Sequence, residues 1–238
     1  MGNGVDIYKT LREEAYEANL EIPRRNLAIY TWGNVSAFDP AKGVFAIKPS
    51  GLEYEKLRPE LMVLVDLDGS IVDGALNPSS DTNTHRVLYR EFSGIRGITH
   101  THSVYAVAWA QARLPVPVFG TTHADHGAQP IPCTEIMSAE ATQNNYELET
   151  GNLIVATFRK SDTNPAHLSM VLVAGHGPFA WGKDAAQSVY HAAVLEEVCK
   201  MASLTLSLKP DALPLPEHII NKHWERKHGP NAYYGQRP

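Results

Sequence analysis

The order of apolar and polar positions along the chain predicts helices that alternate with short strands. Apolar residues recur every three or four positions in residues 7–19, as on one helix face. The nearly continuous apolar residues of 104–112 predict a buried helix, and residues 184–208, with an apolar side, form the longest predicted helix. Short β-prone runs predict strands at 44–47, 62–65, 97–100, 152–156 and 170–173. Capping signals predict a helix from Asp81 or Thr82 to Phe92, and a basic helix follows Pro216.

This alternation favours a single α/β domain that spans residues 1–238. No internal repeat or low-complexity linker interrupts the sequence. Asp68-Gly69 followed by Ile71-Val72 predicts a hairpin, so at least one strand pair is expected to be antiparallel. The pattern does not predict the order of the strands.

Composition excludes several classes of protein. The 238 residues are 43% hydrophobic and carry a net charge of −5, which argues against a disordered chain and against nucleic-acid binding through bulk charge. No signal-peptide core or membrane span is evident, so a cytoplasmic protein without a membrane partner is expected. Cys133 and Cys199 lack a nearby partner and are predicted to be buried, reduced thiols.

Histidines and one aspartate are the candidate metal ligands. His100 and His102 project to the same side if residues 97–102 form a strand, although two inert strand-end histidines are an equal alternative. His176 lies between two glycines directly after an apolar run, which favours a site residue. Asp81 follows Pro78-Ser79-Ser80 and by itself is better explained as a helix cap. Together these side chains would suit Zn²⁺, and Mn²⁺ or Co²⁺ would also fit.

Three polar turns are candidate binding sites for an anion. They are Thr31-Trp32-Gly33-Asn34-Val35-Ser36, Lys48-Pro49-Ser50-Gly51 and Ser79-Ser80 before a predicted helix. Each signal is weak alone, but together they favour a small phosphorylated ligand. Residues 177–183 match G-x-x-x-x-G-K, but Asp184 replaces the hydroxyl residue that a P-loop needs, so a nucleotide hydrolase is rejected.

Further titratable residues are open to two interpretations. Residues 121–126 are either a solvated loop or hold an acid/base group, and Tyr233 and Tyr234 alone are better explained as tail contacts. Spacing of five residues predicts surface positions for His218, His223 and His228, and strand spacing predicts that Glu147 and Glu149 face solvent or a subunit.

The chain resembles the class II aldolase/epimerase family, and within it the L-ribulose-5-phosphate 4-epimerases. The resemblance runs from about residue 20 to residue 236 in ordered blocks: 27–37, 47–51, 78–82, 99–103, 120–125, 131–134, 149–152, 175–183, 227–228 and 232–236. It implies a three-layer α/β/α fold with a mixed, mostly antiparallel central sheet, assembled as a homotetramer with active sites at subunit interfaces.

The same resemblance assigns roles to residues. It implies one divalent cation per subunit, most simply zinc, held by Asp81, His100, His102 and His176. It implies substrate and phosphate contacts from Gly33, Asn34, Lys48, Ser50, Gly51, Ser79 and Ser80. Asp125 and Tyr234 match the acid/base pair, supplied from neighbouring subunits. Related aldolases carry glutamate where Asp81 stands, so aspartate favours an epimerase.

The implied reaction interconverts L-ribulose 5-phosphate and D-xylulose 5-phosphate. The inverted carbon, C4, is not next to the C2 ketone, so simple deprotonation there gives no stabilised carbanion. A nicotinamide motif is absent, so cleavage and re-formation of the C3–C4 bond is the expected route. An aldolase acting on another ketose phosphate and a non-catalytic homologue remain the alternatives.

Overall fold

The computed structural model describes residues 7–230 and 232–233. Its helices are α1 Lys9–Arg24, α2 Thr82–Glu91, α3 Val104–Ala112, α4 Thr121–Ala124, α5 Ala139–Gln143, α6 Tyr146–Lys160, α7 Ala185–Leu208 and α8 Glu217–His228. Its strands are β1 Asn34–Asp39, β2 Val44–Ile47, β3 Val63–Asp66, β4 Ile71–Asp73, β5 Gly97–His100, β6 Met170–Val173 and β7 Gly177–Gly182. Two short 3₁₀ turns, Tyr54–Lys56 and Pro59–Leu61, join β2 to β3.

The strands form one seven-stranded sheet in the order β4-β3-β2-β1-β5-β7-β6. Every neighbouring pair of these strands is antiparallel. Within the part of the chain that the structure describes, parallel pairing is limited to one isolated bridge between Cys133 and Leu172. The expected mostly antiparallel sheet is therefore confirmed, and so is the β3–β4 hairpin, in which Gly69 takes a positive φ of 92°.

The two faces of the sheet are covered by different helices because side chains alternate along each strand. On one face, the ring of Phe38 stacks on Tyr89 of α2, and Trp181 packs against Phe158 of α6. On the other face, Thr99 bonds Ser188 of α7 at 2.7 Å. Helix α1 also packs on β1 and α7, and this arrangement confirms the three-layer α/β/α fold.

The predicted strand at residues 152–156 is wrong, because these residues lie inside α6. Asn145 caps this helix by accepting a hydrogen bond from the Leu148 amide at 3.2 Å. The buried positions of α6 follow helical spacing, at Ile154, Val155 and Phe158 among others. The β-prone residues 152–156 obscured this helical spacing, because this part of α6 packs on the core and is therefore rich in apolar side chains.

The other predicted elements agree with the structure to within a few residues. Helix α1 extends beyond Asn19, whose buried amide donates to the Val35 carbonyl at 2.8 Å. Residues 177–182 form β7, a buried strand, which agrees with the rejection of a P-loop there. Both cysteines are free; Cys199 is buried as predicted, while Cys133 is partly exposed. Among the described residues, no helix combines the length and apolar character needed to cross a bilayer.

Candidate active site

Three histidines converge where β5 and the β6–β7 turn meet. His100 is the last residue of β5, and His176 lies in the turn directly before β7, the strand that pairs with β5. The Nε2 atoms of His100 and His102 are 3.1 Å apart. One nitrogen from each of the three rings lies within 4.8 Å of the others, so the group could hold a metal ion.

The surroundings of these rings favour neutral imidazoles with a free lone pair. His100 Nδ1 lies 2.9 Å from the Pro178 carbonyl, which can only accept, so Nδ1 carries the proton and Nε2 carries the lone pair. Burial lowers the pKa of His100 and His102, and it lowers the pKa of His176 to about 4. Metal binding requires the neutral ring, and a carbonyl partner on the other nitrogen orients it.

Asp81 adds a carboxylate to the same site. It occupies the cap position of α2, but its side chain makes no capping bond and instead accepts from Asn34 Nδ2 at 2.7 Å. Burial raises the pKa of Asp81, but His100, His85 and Asn34 outweigh that effect and the pKa falls below its ordinary value. Asp81 thus lines the same pocket as the three histidines, but its carboxylate is not among the ligand atoms that lie within 4.8 Å of one another.

These groups line a polar pocket of about 490 Å³. Every residue predicted to bind metal or substrate lies on its wall: Gly33, Asn34, Lys48, Ser50, Gly51, Ser79, Ser80, Asp81, His100, His102 and His176. The wall also includes Thr31, Trp32, Pro49, Tyr146 and Glu147. The structure therefore brings together segments that are far apart in the sequence.

Hydrogen bonds between two loops assemble the predicted phosphate-binding part of the pocket. The Ser79 amide donates to the Lys48 carbonyl at 3.0 Å, and the Ser50 amide donates to the Asn77 carbonyl at 3.0 Å. The loop after β2 thus lies beside the start of α2. Hydroxyl groups and a helix start that meet in one place are typical of phosphate sites.

Lys48 is a buried cation at this wall, with only 2% of its surface exposed. Its Nζ lies 3.4 Å from the Thr31 carbonyl and 5.0 Å from the ring centre of Tyr54. No carboxylate of the described residues forms an ion pair with it. Burial lowers the pKa of Lys48 to about 8, because the desolvated ammonium lacks a balancing charge. An anionic ligand would supply that charge.

The turn before β1 brings backbone and an amide side chain close to the histidines. Gly33 has φ +78°, and a Cβ there would lie 2.8 Å from the His100 carbonyl oxygen, so only glycine fits without a shift. The Tyr54 hydroxyl donates to the Trp32 carbonyl at 2.6 Å and holds this turn. Asn34 Oδ1 is buried and has no partner among the described residues, so it is available to a ligand hydroxyl.

Asp125 lies outside this pocket, at the end of α4. Its carboxylate accepts hydrogen bonds from Arg226 Nε at 2.9 Å and His223 Nδ1 at 3.0 Å, both on α8. Burial raises the pKa of Asp125, but Arg226 and His223 outweigh this and lower it. The predicted surface position does not hold for His223, which is half-buried against Asp125, whereas His228 is exposed as predicted, although its ring lies 3.1 Å from the Asp125 carbonyl oxygen.

Comparison with known proteins identifies the family. The model of the class II aldolase and adducin N-terminal domain matches residues 13–203. The chain belongs to the class II aldolase and adducin family. Within this family it is 48% identical over 227 residues to L-ribulose-5-phosphate 4-epimerase UlaF of Salmonella paratyphi C, a match that covers 95% of this chain and 99% of that protein.

Solved structures of class II aldolases share the fold. An L-fuculose 1-phosphate aldolase aligns with TM-score 0.76 and 22% identity over 91% of this chain and 95% of its own. The L-fuculose-1-phosphate aldolase of Thermus thermophilus aligns with TM-score 0.64 and 23% identity over 86% of this chain and 98% of its own. Helices on both faces of an antiparallel sheet are thus a common scaffold of these proteins.

Two pocket residues, Tyr146 and Glu147, are not predicted from the sequence, and the strand spacing that was expected to turn Glu147 toward solvent or a subunit does not apply inside α6. Both lie in the first turn of α6, which the strand assignment concealed. The Tyr146 hydroxyl is 3.4 Å from His176 Nδ1, and Glu147 lines the wall of the same pocket. An asparagine followed by two glutamates is a helix-start signal, so capping at Asn145 could have revealed them. Tyr234, the other predicted acid/base residue, lies outside the described residues.

Proposed function

We propose that this member of the class II aldolase and adducin family interconverts L-ribulose 5-phosphate and D-xylulose 5-phosphate. The observation that carries the proposal is one pocket that joins a histidine cluster, a carboxylate and two polar loops suited to phosphate. The 48% identity with an L-ribulose-5-phosphate 4-epimerase over nearly the whole chain supports this substrate. A small phosphorylated ketopentose is the ligand that such a pocket would take.

The proposed cation ligands are Asp81, His100, His102 and His176. The neutral rings, the lowered pKa of Asp81 and the orphaned oxygen of Asn34 support a cation-binding pocket. A divalent cation, most simply Zn²⁺, would act there as a Lewis acid toward the ketone end of the substrate. Mn²⁺ and Co²⁺ suit the same nitrogen and oxygen donors.

The phosphate end is assigned to the two paired loops. Ser50, Gly51, Ser79 and Ser80 offer backbone amides or hydroxyls, and Lys48 offers a positive charge that protein carboxylates leave unbalanced. Anchoring the phosphate retains the aldehyde fragment after the C3–C4 bond breaks. The aldehyde can then rotate without leaving, and this retention distinguishes an epimerase from an aldolase.

The proton transfers are assigned to Asp125 and Tyr234 of neighbouring subunits. Asp125 lies outside its own pocket, which favours a role at the site of another copy in a homotetramer. Its lowered pKa keeps the carboxylate ionised near neutral pH, as a base requires. Free thiols at Cys133 and Cys199 suit a cytoplasmic enzyme.

The bond changes balance without an external oxidant. In one direction, Asp125 takes the proton of the C4 hydroxyl as the C3–C4 electron pair moves into an enediolate of dihydroxyacetone. Glycolaldehyde phosphate, held by its phosphate, rotates to present its other face. The C3–C4 bond re-forms, and the new C4 oxygen takes a proton from Tyr234. Proton exchange with solvent then restores Asp125 and Tyr234.

The test measures conversion of L-ribulose 5-phosphate to D-xylulose 5-phosphate before and after EDTA, with Zn²⁺ or Mn²⁺ added back. We expect turnover that EDTA abolishes and added metal restores, with little free glycolaldehyde phosphate. Free aldehyde as the main product would instead indicate an aldolase. Absence of turnover with every metal, in a folded protein, would overturn the proposal and favour a non-catalytic role.

A further inference from the structure

A buried histidine that no step above uses lies one helical turn after Asp81. His85 of α2 is fully buried, and its Nδ1 is 2.7 Å from the Ser36 hydroxyl oxygen on β1. The same hydroxyl oxygen is 2.7 Å from the Tyr89 hydroxyl, which also lies 3.2 Å from the Ser36 carbonyl. His85 Nε2 is buried and has no hydrogen-bond partner among the described residues.

The position of His85 relates this unpartnered nitrogen to the cation site. His85 follows Asp81 by four residues, so both project from the same face of α2, and the His85 amide donates to the Asp81 carbonyl at 3.0 Å. The charge of Asp81 acts on the His85 ring. The His85 ring is nearly perpendicular to the ring of Phe179, with ring centres 6.2 Å apart, and Phe179 stacks on His100 with ring centres 4.2 Å apart.

The hydroxyl network favours one tautomer of His85. The Tyr89 hydroxyl can donate to the Ser36 carbonyl, and the Ser36 hydroxyl can then donate to His85 Nδ1. This leaves the ring proton on Nε2. The opposite tautomer would leave a bare lone pair on Nε2 in the negative potential of Asp81, whose charge acts on this ring, and this is electrostatically unfavourable. A buried N–H without an acceptor is costly, so a partner is expected.

We propose that His85 is a positioning residue that donates from Nε2 to the Asp81 carboxylate in the metal-loaded protein. The inference rests on the proposed cation site. Asn34 donates to one carboxylate oxygen of Asp81 at 2.7 Å, and His85 would supply the second donor. With two donors the carboxylate keeps the orientation in which it binds the cation. Partners of this kind typically alter metal affinity 10- to 100-fold when they are removed.

Two variants of His85 separate this role from packing. Glutamine places an amide nitrogen near the position of His85 Nε2, whereas asparagine places polar atoms only near Nδ1. The Zn²⁺ dissociation constant is measured by competition with a chromophoric chelator. We expect His85→Asn to weaken Zn²⁺ binding roughly tenfold or more, and His85→Gln to stay close to wild type. Equal Zn²⁺ affinity in the two variants would overturn the proposal. So would a loss of Zn²⁺ affinity that only parallels the loss of urea stability in the metal-free variants.

Nitrogen-15 NMR of histidine-labelled wild-type protein gives a second readout. It does not depend on whether the His85→Asn variant folds. The His85→Gln spectrum identifies the His85 signals by their absence. We expect a protonated Nε2 whose signal shifts on Zn²⁺ addition, and a protonated Nδ1 would refute the proposal. If the wild type binds no Zn²⁺, the proposed cation site itself is refuted. If the wild type and both variants bind Zn²⁺ equally well, only the role of His85 is refuted.

Discussion

Replacing Lys48 with methionine separates the stability of the fold from its affinity for a sugar phosphate. Lys48 is 2% exposed, and its ammonium has only distant carbonyl and ring contacts. Methionine preserves most of the buried aliphatic stem and removes the charge. We therefore expect Lys48→Met to stabilise the ligand-free protein and to weaken substrate binding.

The lowered pKa of Lys48 sets the size of the effect. Burial moves this pKa from 10.5 to about 8. At about 1.4 kcal/mol for each tenfold change in proton affinity, the buried charge costs at most about 3.5 kcal/mol at pH 7. Because Nζ faces a solvent-accessible pocket and keeps weak carbonyl contacts, a net gain of about 1–2 kcal/mol is expected. Loss of a charged hydrogen bond to phosphate, about 1.5–3 kcal/mol, predicts roughly ten- to hundredfold weaker binding.

The pH dependence of unfolding provides the assay. Between pH 8 and 10.5 the unfolded chain keeps the lysine proton that the folded chain has lost, so wild-type stability rises with pH relative to the variant. Urea unfolding should therefore show that the difference in free energy of unfolding between Lys48→Met and wild type is smaller at pH 9.5 than at pH 7. Lys183→Met, at an exposed lysine, is the matched control and should show no such change. A variant less stable than wild type at pH 7, or a gap independent of pH, would refute the reasoning.

Three further predictions follow from other parts of the structure. Gly33→Ala should lower the free energy of unfolding in urea by about 2–3 kcal/mol, because a left-handed φ costs about 1–2 kcal/mol and the new Cβ meets the His100 carbonyl. Gly51→Ala, where the new Cβ has open space, should lower it by only about 1 kcal/mol. Equal losses in the two variants would contradict the steric argument. Asp125→Asn should reduce turnover on the order of 10²- to 10⁴-fold in both directions with unchanged Zn²⁺ affinity, and near-normal turnover would remove Asp125 from the proton transfers. Burial lowers the pKa of His123 to about 4, so the contribution of its neutral ring to stability is complete above pH 6.5 and is lost as the pH falls through 4. The urea midpoint should therefore fall less steeply between pH 7 and pH 4 in His123→Gln than in the wild type. Parallel curves for the two proteins would argue against a buried neutral ring.

The candidate site was predictable where its chemistry lies in short segments. His100 and His102 are two residues apart, and their rings do meet as the sequence predicts, although β5 ends at His100 and His102 follows the strand. The helix-start position of Asp81 was also evident from the sequence, but its side chain bonds Asn34 instead of capping α2. That choice depends on β1, which precedes Asp81 by more than forty residues.

Other residues required the folded chain. Asp125 and Arg226 are about a hundred positions apart, so no local pattern indicated that α8 neutralises this carboxylate. Tyr146 and Glu147 were hidden because the apolar run 152–156 has the composition of a strand while its surroundings impose a helix. Gly151 shows the reason: α6 lies so close to α2 that a Cβ there would be 2.7 Å from Val87.

By itself, the sequence determined the helices with a clear period, the β3–β4 hairpin and the residue types of a metal and phosphate site. These follow from contacts between near neighbours, which depend on spacing and propensity. The tertiary structure decided the strand order, the meeting of His176 with His100, the pairing of the Lys48 and Ser79 loops, and the contact of His85 with Ser36. Such contacts form only when the burial of apolar segments that are distant in sequence closes long loops. The conformational preferences of neighbouring residues do not indicate which of these segments will meet.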